Sequence, residues 1–546
     1  MKTKYYIILC LLSIQTGLLF GQSSEEVISI MKTEVDRGLS LKIDNLQTPF
    51  FISYTLVEKE QLFARARLGA IESSNLTKER RGYPYLLVGN YERNDLNFMD
   101  MNNNGFFSIP LENDETGIRV PIWQGLDSRY KSSAERYEAK LTSMRQAQIK
   151  EEDLNLPDFE KVEPVYIIQQ IETPKIDKGY WENYIRKASA VAKRYPEINS
   201  SSVLADITNQ KIYYYNTENT RYCISKPIYT LSFSLSTLTD DGEDLTENAY
   251  LQYSSMEEIP DLEEFISTYE SFIAYFLELK KAPQVEEAYT GPVMFEEMAL
   301  GQAFIQLLQP SLIARRSPIG KESGNNTEIM MDKKIIARSL SVKSLTGTEF
   351  FDGQRLAGYT PVDAEGVVPD KELFLIEDGV LKNKLNRRTP TKKVPRSNGH
   401  ARLPLSGMIN NNSSLSTNPG NIQLLSNEVY SYNELKQRLI NAAKEEDLDY
   451  AYIVRRIRGN RVLAVYKVYT VDGREELQRG ADLQYFNIRS FRRVLGATDS
   501  NFIYNISNAG SLSSIIIPRA LLFEEIDITR SSNITSKKPF IIPQPK

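Results

Sequence analysis

Short segments in which apolar and polar residues alternate are the feature that most constrains the fold of this chain. Residues 62–71 partly alternate apolar and basic side chains, and strand-like runs at 50–54 and 85–88 lie on either side. A period of two sends successive side chains to opposite faces of a sheet. The pattern therefore predicts an antiparallel sheet with one face on a core and the other in solvent.

Other segments have apolar residues at helical spacing. In residues 124–150 charged residues separate the apolar ones, and Asp127 or Ser128 is expected to cap the first turn. The same spacing predicts further helices at 27–35, 180–195, 261–281, 295–308 and 434–446. Residues 211–230 and 232–239 are predicted as a strand pair closed by a turn at 240–242.

Proline and glycine at 283–291 mark a boundary between two parts of different composition. Downstream of it, strand candidates dominate and are separated by turn signals such as 458–460 and 472–473. We therefore expect an α+β fold. An N-terminal α/β domain (22–285), with an antiparallel sheet, helices and a helical insert at 124–150, precedes a β-rich C-terminal domain (286–546).

The first 21 residues have the pattern of a cleavable signal peptide, with a basic start, a short apolar run and a small residue before a polar stretch. We expect an exported, periplasmic product without a stable membrane span. Export would leave Cys223 as the only cysteine, so no intrachain disulfide could form. It would also remove Lys2 and Lys4, taking the formal charge from −5 to −7, which argues against a nucleic-acid partner.

The chain contains a single histidine, His400. Catalytic zinc sites usually use two or three histidines, or histidine combined with cysteine and carboxylate. One imidazole could still serve a Ser-His-Asp triad or a Cys-His pair. The composition therefore argues against zinc hydrolysis by the usual set of ligands.

Short motifs spread over most of the chain resemble the TldD/PmbA family, also called the modulator-of-gyrase or TldD-type metalloprotease family. They are FISY at 51–54, ARARLG at 64–69, YTGPVMFE at 289–296, FDG at 351–353, LIEDGVL at 375–381, RSNGH at 396–400 and IPRALLFE at 517–524. The resemblance implies two-fold dimers that enclose a chamber in which unfolded peptide is cut.

In the zinc-bearing branch of that family, a helix after the domain boundary carries His-Glu-x-x-x-His. If Gly301 is matched to the glycine of that motif, Glu297, Met298 and Gln302 occupy the positions of the first histidine, the glutamate and the second histidine. Methionine cannot act as a base, and glutamine is a poor zinc ligand. The resemblance then implies the PmbA-like branch, with no cofactor of its own. Zinc is expected only in a TldD-like partner, and the chain is expected as a homodimer or as a heterodimer with that partner.

The segment Ser397-Asn398-Gly399-His400 is the most site-like stretch, because it combines polar side chains with a turn sequence. The side chains of Ser397, Asn398 and His400 are candidates for binding a peptide backbone, and His400 is the one candidate catalytic residue. The alternative is that His400 only caps or braces the strand that follows it.

Two further groups of charged residues have structural interpretations. Glu296 and Glu297 could act as acid and base or bind calcium, but they are expected to stabilise the positive end of a helix. The basic cluster at 455–458 is expected to be a solvated face or a dimer contact.

Three hypotheses on function therefore stand. The first is an exported, non-catalytic member of the family that binds unfolded peptide and works with a zinc-bearing homologue in proteolysis. The second is a stand-alone interaction protein of the envelope without peptidase activity. The third is a hydrolase with a rebuilt site around His400.

Overall fold

The computed structural model describes residues 24–98, 105–146, 155–169, 175–318, 327–403, 415–508 and 511–531. The predicted signal peptide and the last residues of the predicted insert lie outside these ranges. The helices are α1 (24–38), α2 (Glu115–Gln146), α3 (Lys178–Ala190), α4 (Leu262–Lys281), α5 (Glu297–Ala303) and α6 (Tyr432–Glu445).

A largely antiparallel sheet forms the N-terminal part. Its strands are β1 (Pro49–Arg67), β2 (Ala70–Val88), β3 (Phe107–Ile109), β4 (Tyr166–Ile168), β5 (Ser200–Asn216), β6 (Arg221–Leu238) and β7 (Asp244–Tyr253). The strand order is β3-β2-β1-β5-β6-β4, and β7 also pairs with β6. The bounds of the strand pair predicted at 211–230 and 232–239 are therefore wrong. The tight turn between β5 and β6 lies at 217–220, and the turn at 240–242 joins β6 to β7.

The helices of this part cover one face of the sheet. Even-numbered residues of β1 such as Ile52 and Tyr54 pack with α1 and α2, and Leu62 and Ala64 pack with α3 and α4. The opposite face was expected to be solvated. Instead, part of it is buried, because odd-numbered residues such as Phe51 pack in a cluster that includes residues of the C-terminal part.

Helix α2 begins earlier than the predicted insert. Asp114 Oδ1 accepts a hydrogen bond from Gly117 N at 2.6 Å in the first turn. Asp127 consequently lies inside the helix, where it pairs with Lys131 at 2.7 Å, and the predicted cap at 127–128 is wrong.

The C-terminal part is rich in strands, as predicted. They are β8 (Tyr289–Glu296), β9 (Leu340–Ser344), β10 (Phe350–Phe351), β11 (Gln354–Arg355), β12 (Leu373–Glu377), β13 (Val380–Leu381), β14 (Ala401–Arg402), β15 (Ser416–Thr417), β16 (Asn421–Ser426), β17 (Val429–Tyr430), β18 (Tyr450–Arg458), β19 (Arg461–Tyr469), β20 (Glu475–Gln478), β21 (Ala481–Gln484), β22 (Val494–Thr498), β23 (Asn501–Asn508), β24 (Ser511–Pro518) and β25 (Ala520–Arg530).

Two larger sheets organise these strands. One runs β13-β12-β9-β16-β24-β23, and the other runs β17-β22-β25-β21-β19-β18-β8, with β8 also pairing with β25 and β20 with β19. A large apolar core joins the sheets, and α5 supplies Ala299, Leu300 and Ala303 to it. Helix α5 is thus fixed directly after β8, between the two sheets.

Buried arginines connect the N-terminal and C-terminal parts. Arg388 donates to Glu160 O at 2.6 Å and to Glu218 Oε1 at 2.7 Å. Arg479 pairs with Glu243 and Asp241. In the part of the chain that the structure describes, no helix is both long and apolar enough to cross a membrane.

Candidate functional site

The three degenerate motif positions, Glu297, Met298 and Gln302, all lie in α5. Glu297 has a φ of +38°, a left-handed backbone conformation that is rare for a residue with a side chain. Its N–H donates to Arg519 O at 2.9 Å, and its Oε1 accepts from Arg519 Nε at 2.7 Å. The chain therefore turns sharply from β8 into α5, and β25 holds the turn.

Met298 and Gln302 face a cleft of about 510 Å³ between the N-terminal and C-terminal parts, which we call the motif cleft. Gln302 Oε1 accepts from Ile457 N at 3.3 Å, and its side chain also bonds to Tyr504. The other described residues around the cleft are Gln61, Asp206, Thr208, Ile228, Thr230, Asn248, Tyr250, Gln252, Arg456, Arg458, Leu463, Asn505, Ile506 and Ser507.

A second cavity of about 640 Å³ adjoins the motif cleft and shares Met298 and Arg456 with it. Glu296 lines it and accepts from Tyr432 Oη at 2.6 Å and from Arg455 Nε at 2.7 Å. Glu296 and Glu297 lie at the N-terminal end of α5, as predicted, although Glu296 makes no side-chain capping hydrogen bond there. Each carboxylate pairs with an arginine, Glu296 with Arg455 and Glu297 with Arg519. A guanidinium offers a charged hydrogen bond that is stronger than one from a backbone N–H.

The basic cluster at 455–458 is not simply a solvated face. Arg456 donates to Asn248 O at 2.6 Å and lies 3.3 Å from Glu247, which is only 1% exposed. Burial raises the pKa of Glu247, although nearby arginines oppose the shift. Arg458 is exposed and has no ion pair among the described residues. Its guanidinium is therefore available to bind a ligand in the motif cleft.

Two edge strands form opposite sides of the motif cleft. Among the described residues, β7 pairs only with β6, and β23 pairs only with β24. Tyr250 of β7 is 62% exposed, between Asn248 and Gln252, whose carbonyl oxygens accept from Arg456 and Asn505. No pattern in the sequence singled out β7 or Tyr250, because the cleft that they line forms only where the two parts pack together.

The side chains at the motif positions do not fit a zinc ion. The carboxylate of Glu297 is paired with Arg519, and a thioether and an amide oxygen occupy the other two positions. Zinc prefers thiolate, imidazole and carboxylate donors. Within the described residues, no three His, Cys, Asp or Glu side chains are grouped closely enough to hold a metal.

The candidate peptide-binding segment 397–400 points inward rather than into the motif cleft. His400 is 1% exposed, and its Nε2 lies 3.0 Å from both Ser344 Oγ and Thr346 Oγ1. Its Nδ1 lies 2.9 Å from Asn398 Oδ1. Asn398 Nδ2 donates to Lys384 O, which identifies Oδ1 as the acceptor and places the imidazole proton on Nδ1.

A hydroxyl, an imidazole and an amide in this order match the connectivity of a nucleophile, a base and an orienting group. Ser344 is also 1% exposed, however, and neither Ser344 nor His400 lines the motif cleft or the adjoining cavity. Burial, followed by the charge of Arg402, lowers the pKa of His400 well below its usual value. The cluster braces the end of β9, while Ser397 N donates to Glu160 Oε2 in the N-terminal part.

Comparison with known proteins supports the resemblance. Residues 289–443 match the PmbA/TldA metallopeptidase C-terminal domain. No curated protein matches the chain by sequence.

Solved structures share the fold over most of the chain. TldE from Thermococcus kodakarensis is 12% identical, with a TM-score of 0.57 over 92% of this chain and 100% of that one. A candidate modulator of a DNA gyrase from Thermotoga maritima is 13% identical, with a TM-score of 0.56 over 88% and 96%. A candidate modulator of DNA gyrase from Bacteroides thetaiotaomicron is 11% identical, with a TM-score of 0.57 over 92% and 98%. The sequence match over residues 289–443 and the fold shared with these structures confirm the resemblance to the TldD/PmbA family.

Proposed function

We propose that this protein binds unfolded peptide in the motif cleft and contributes part of a peptidase chamber without zinc chemistry of its own. The observation that carries the proposal is the pair of edge strands, β7 and β23, on either side of a cleft where Met298 and Gln302 replace the metal-binding side chains.

The cleft provides the groups that an extended peptide needs. An edge strand can bind a peptide through its main chain, and amide side chains such as Asn248 and Gln252 can satisfy further peptide groups. Tyr250 offers an exposed ring for stacking, and Arg458 offers an unpaired cation for an acidic side chain or a terminal carboxylate.

Cleavage would then require a partner that holds the metal. The fold is that of TldE among other structures, and the family that the chain resembles is named for metallopeptidases. We infer a TldD-like, zinc-bearing homologue as that partner, and export to the periplasm as the setting. A homodimer remains the alternative assembly.

Peptide binding can be measured with a fluorescently labelled, unfolded casein fragment and the purified chain. Tyr250→Ala should weaken binding by about fivefold or more, the value for loss of an aromatic contact worth about 1 kcal/mol. Tyr485→Ala removes a ring that is 86% exposed and lies away from the cleft, so it serves as the matched control. Equal affinity of the two variants would contradict binding in the motif cleft.

The partner can be sought by pull-down from the envelope fraction, followed by a peptidase assay with and without the recovered protein. We expect activity only in the mixture, with loss on chelation. Peptide binding without any partner or activity would instead favour a stand-alone interaction protein. Chelator-insensitive activity of the isolated chain would favour a rebuilt hydrolase.

A further inference from the structure

A smaller cavity of about 150 Å³, with both polar and apolar lining residues, lies between the N-terminal and C-terminal parts, and we call it the junction cavity. Strands β5 and β6 form one side of it. Residues 355–364 and 401–403 form the other. Of the described residues, it has only Ile228 in common with the motif cleft. It is therefore a separate candidate site.

Arg402 lines the junction cavity with one of its nitrogens unsatisfied. The residue is 6% exposed, and its Nη1 donates to Gly399 O at 3.1 Å and Ala401 O at 2.9 Å. Its Nη2 is buried and has no hydrogen-bond partner among the described residues. A buried donor without a partner destabilises the folded state, so an acceptor in the cavity would stabilise the protein.

Lys226 brings a second cation to the same cavity, and no carboxylate among the described residues is ion-paired with it. Burial, followed by the charge of Arg402, lowers the pKa of Lys226 to about 7. A bound anion would favour the charged ammonium and reverse that effect.

Asp363, the one carboxylate among the described lining residues, does not neutralise the charges of both Arg402 and Lys226. Asp363 Oδ1 accepts from the N–H groups of Glu365 and Val367, and its Oδ2 accepts from Ala401 N at 2.9 Å. Its acceptor positions are therefore directed at the backbone. The cavity has one carboxylate for Arg402 and Lys226 together, while Arg355 in the lining is already paired with Glu349.

The rest of the wall contains apolar side chains. They include Ile212, Ile224, Leu356, Val362 and Leu403. A cavity of about this volume can hold a molecule as large as benzene. Two cations beside an apolar wall fit an anion that has a short carbon chain.

We propose that the junction cavity binds a small organic monocarboxylate, held by Arg402 and Lys226 at its charged end and by the apolar wall along its carbon chain. A guanidinium presents N–H groups in a plane that matches a carboxylate. Inorganic phosphate or sulfate could contact the cations but has no carbon chain for the apolar wall.

The test is titration calorimetry of the full chain with acetate, propionate and butyrate, and with phosphate and sulfate in parallel. We expect saturable binding that strengthens from acetate to butyrate. Lys226→Met and Arg402→Gln should each weaken it by about tenfold or more, since each removes a charge-assisted bond. Lys281→Met, an exposed lysine at the end of α4, is the matched control.

Three results would overturn the proposal: no saturable binding of any carboxylate, equal binding by Lys226→Met and Lys281→Met, or tighter binding of phosphate than of butyrate. Because Lys226 is only partly buried, its variant keeps the test informative if Arg402→Gln fails to fold. Tyr250→Ala should leave carboxylate binding unchanged, which separates this site from the motif cleft.

Discussion

At the scale of single residues, His400 illustrates how far the chemistry of a side chain can be predicted without its surroundings. A polar turn containing the one histidine is typical of a binding loop, yet the fold encloses the imidazole beside Ser344 and Thr346. Those two residues are 56 and 54 positions away in the sequence, so no local pattern could reveal them. His400 does brace a strand, but that strand is β9, which precedes it in the chain, and not the strand that follows it.

Replacing His400 should therefore affect stability rather than peptide binding. His400→Gln leaves at least one buried hydroxyl or amide group unsatisfied, and we expect a loss of about 1–3 kcal/mol in the free energy of unfolding. Scanning calorimetry should give a lower midpoint, while the affinity for the casein fragment stays unchanged. Lower affinity at unchanged thermal stability would place His400 in the binding site instead.

The buried imidazole should also make stability depend on pH. Because its folded-state pKa is lowered, the unfolded chain takes up a proton below about pH 6.5 while the folded chain does not. Stability is therefore lost as the pH falls below 6.5. At pH 5.5 the wild type should have lost about 1.4 kcal/mol more than His400→Gln. Parallel pH profiles of the two midpoints would contradict a buried neutral imidazole.

At the scale of elements, the presence of a helix was easier to predict than the residues at which it begins and ends or the contacts that it makes. The apolar spacing in 124–150 correctly indicated a helix, but α2 begins at Glu115 and contains Pro121 inside its first turns. Proline usually ends a helix pattern, which hides the earlier start. Lys140 is 0% exposed in that helix, although its sequence neighbours gave no sign of burial.

Lys140 connects α2 to two other segments. Its Nζ donates to Asn94 O at 2.8 Å, Leu96 O at 2.5 Å and Asp158 Oδ2 at 2.6 Å. Lys140→Met should cost about 3 kcal/mol, because it leaves a buried carboxylate and two carbonyl groups without this donor. Amide hydrogen exchange in α2 should accelerate. Lys131→Met, on the exposed face of the same helix, should leave exchange unchanged; equal acceleration in both variants would exclude this role for Lys140.

At the scale of the whole molecule, the α+β class and the strand-rich C-terminal part were predictable from periodicity and turn signals. The contact between the two parts was not, because it depends on long-range pairs such as Arg388 with Glu218, 170 residues apart. The same contact creates the motif cleft and the junction cavity. The family resemblance singled out Met298 and Gln302, but the cleft that they face and the junction cavity lay beyond what local patterns in the sequence could indicate.

Arg388 provides a direct test of how the two parts are coupled. Its guanidinium is buried, bonds to Glu160 O and Glu218, and stacks on Phe159 at 4.1 Å. Arg388→Met should lower the free energy of unfolding by about 3 kcal/mol and separate the calorimetric profile into two transitions. Arg493→Met, in an exposed ion pair, is the control. A single transition at the wild-type temperature would show that this contact does not couple the parts.

We propose that the motif positions of this chain support peptide binding but not zinc binding. The most direct measurement is the zinc content of the purified full chain after saturation with zinc and removal of the free ion. We predict a content far below one ion per chain, because Glu297 is paired with Arg519 and neither Met298 nor Gln302 is a good ligand. Stoichiometric, tightly held zinc that is lost in Glu297→Ala would contradict the account.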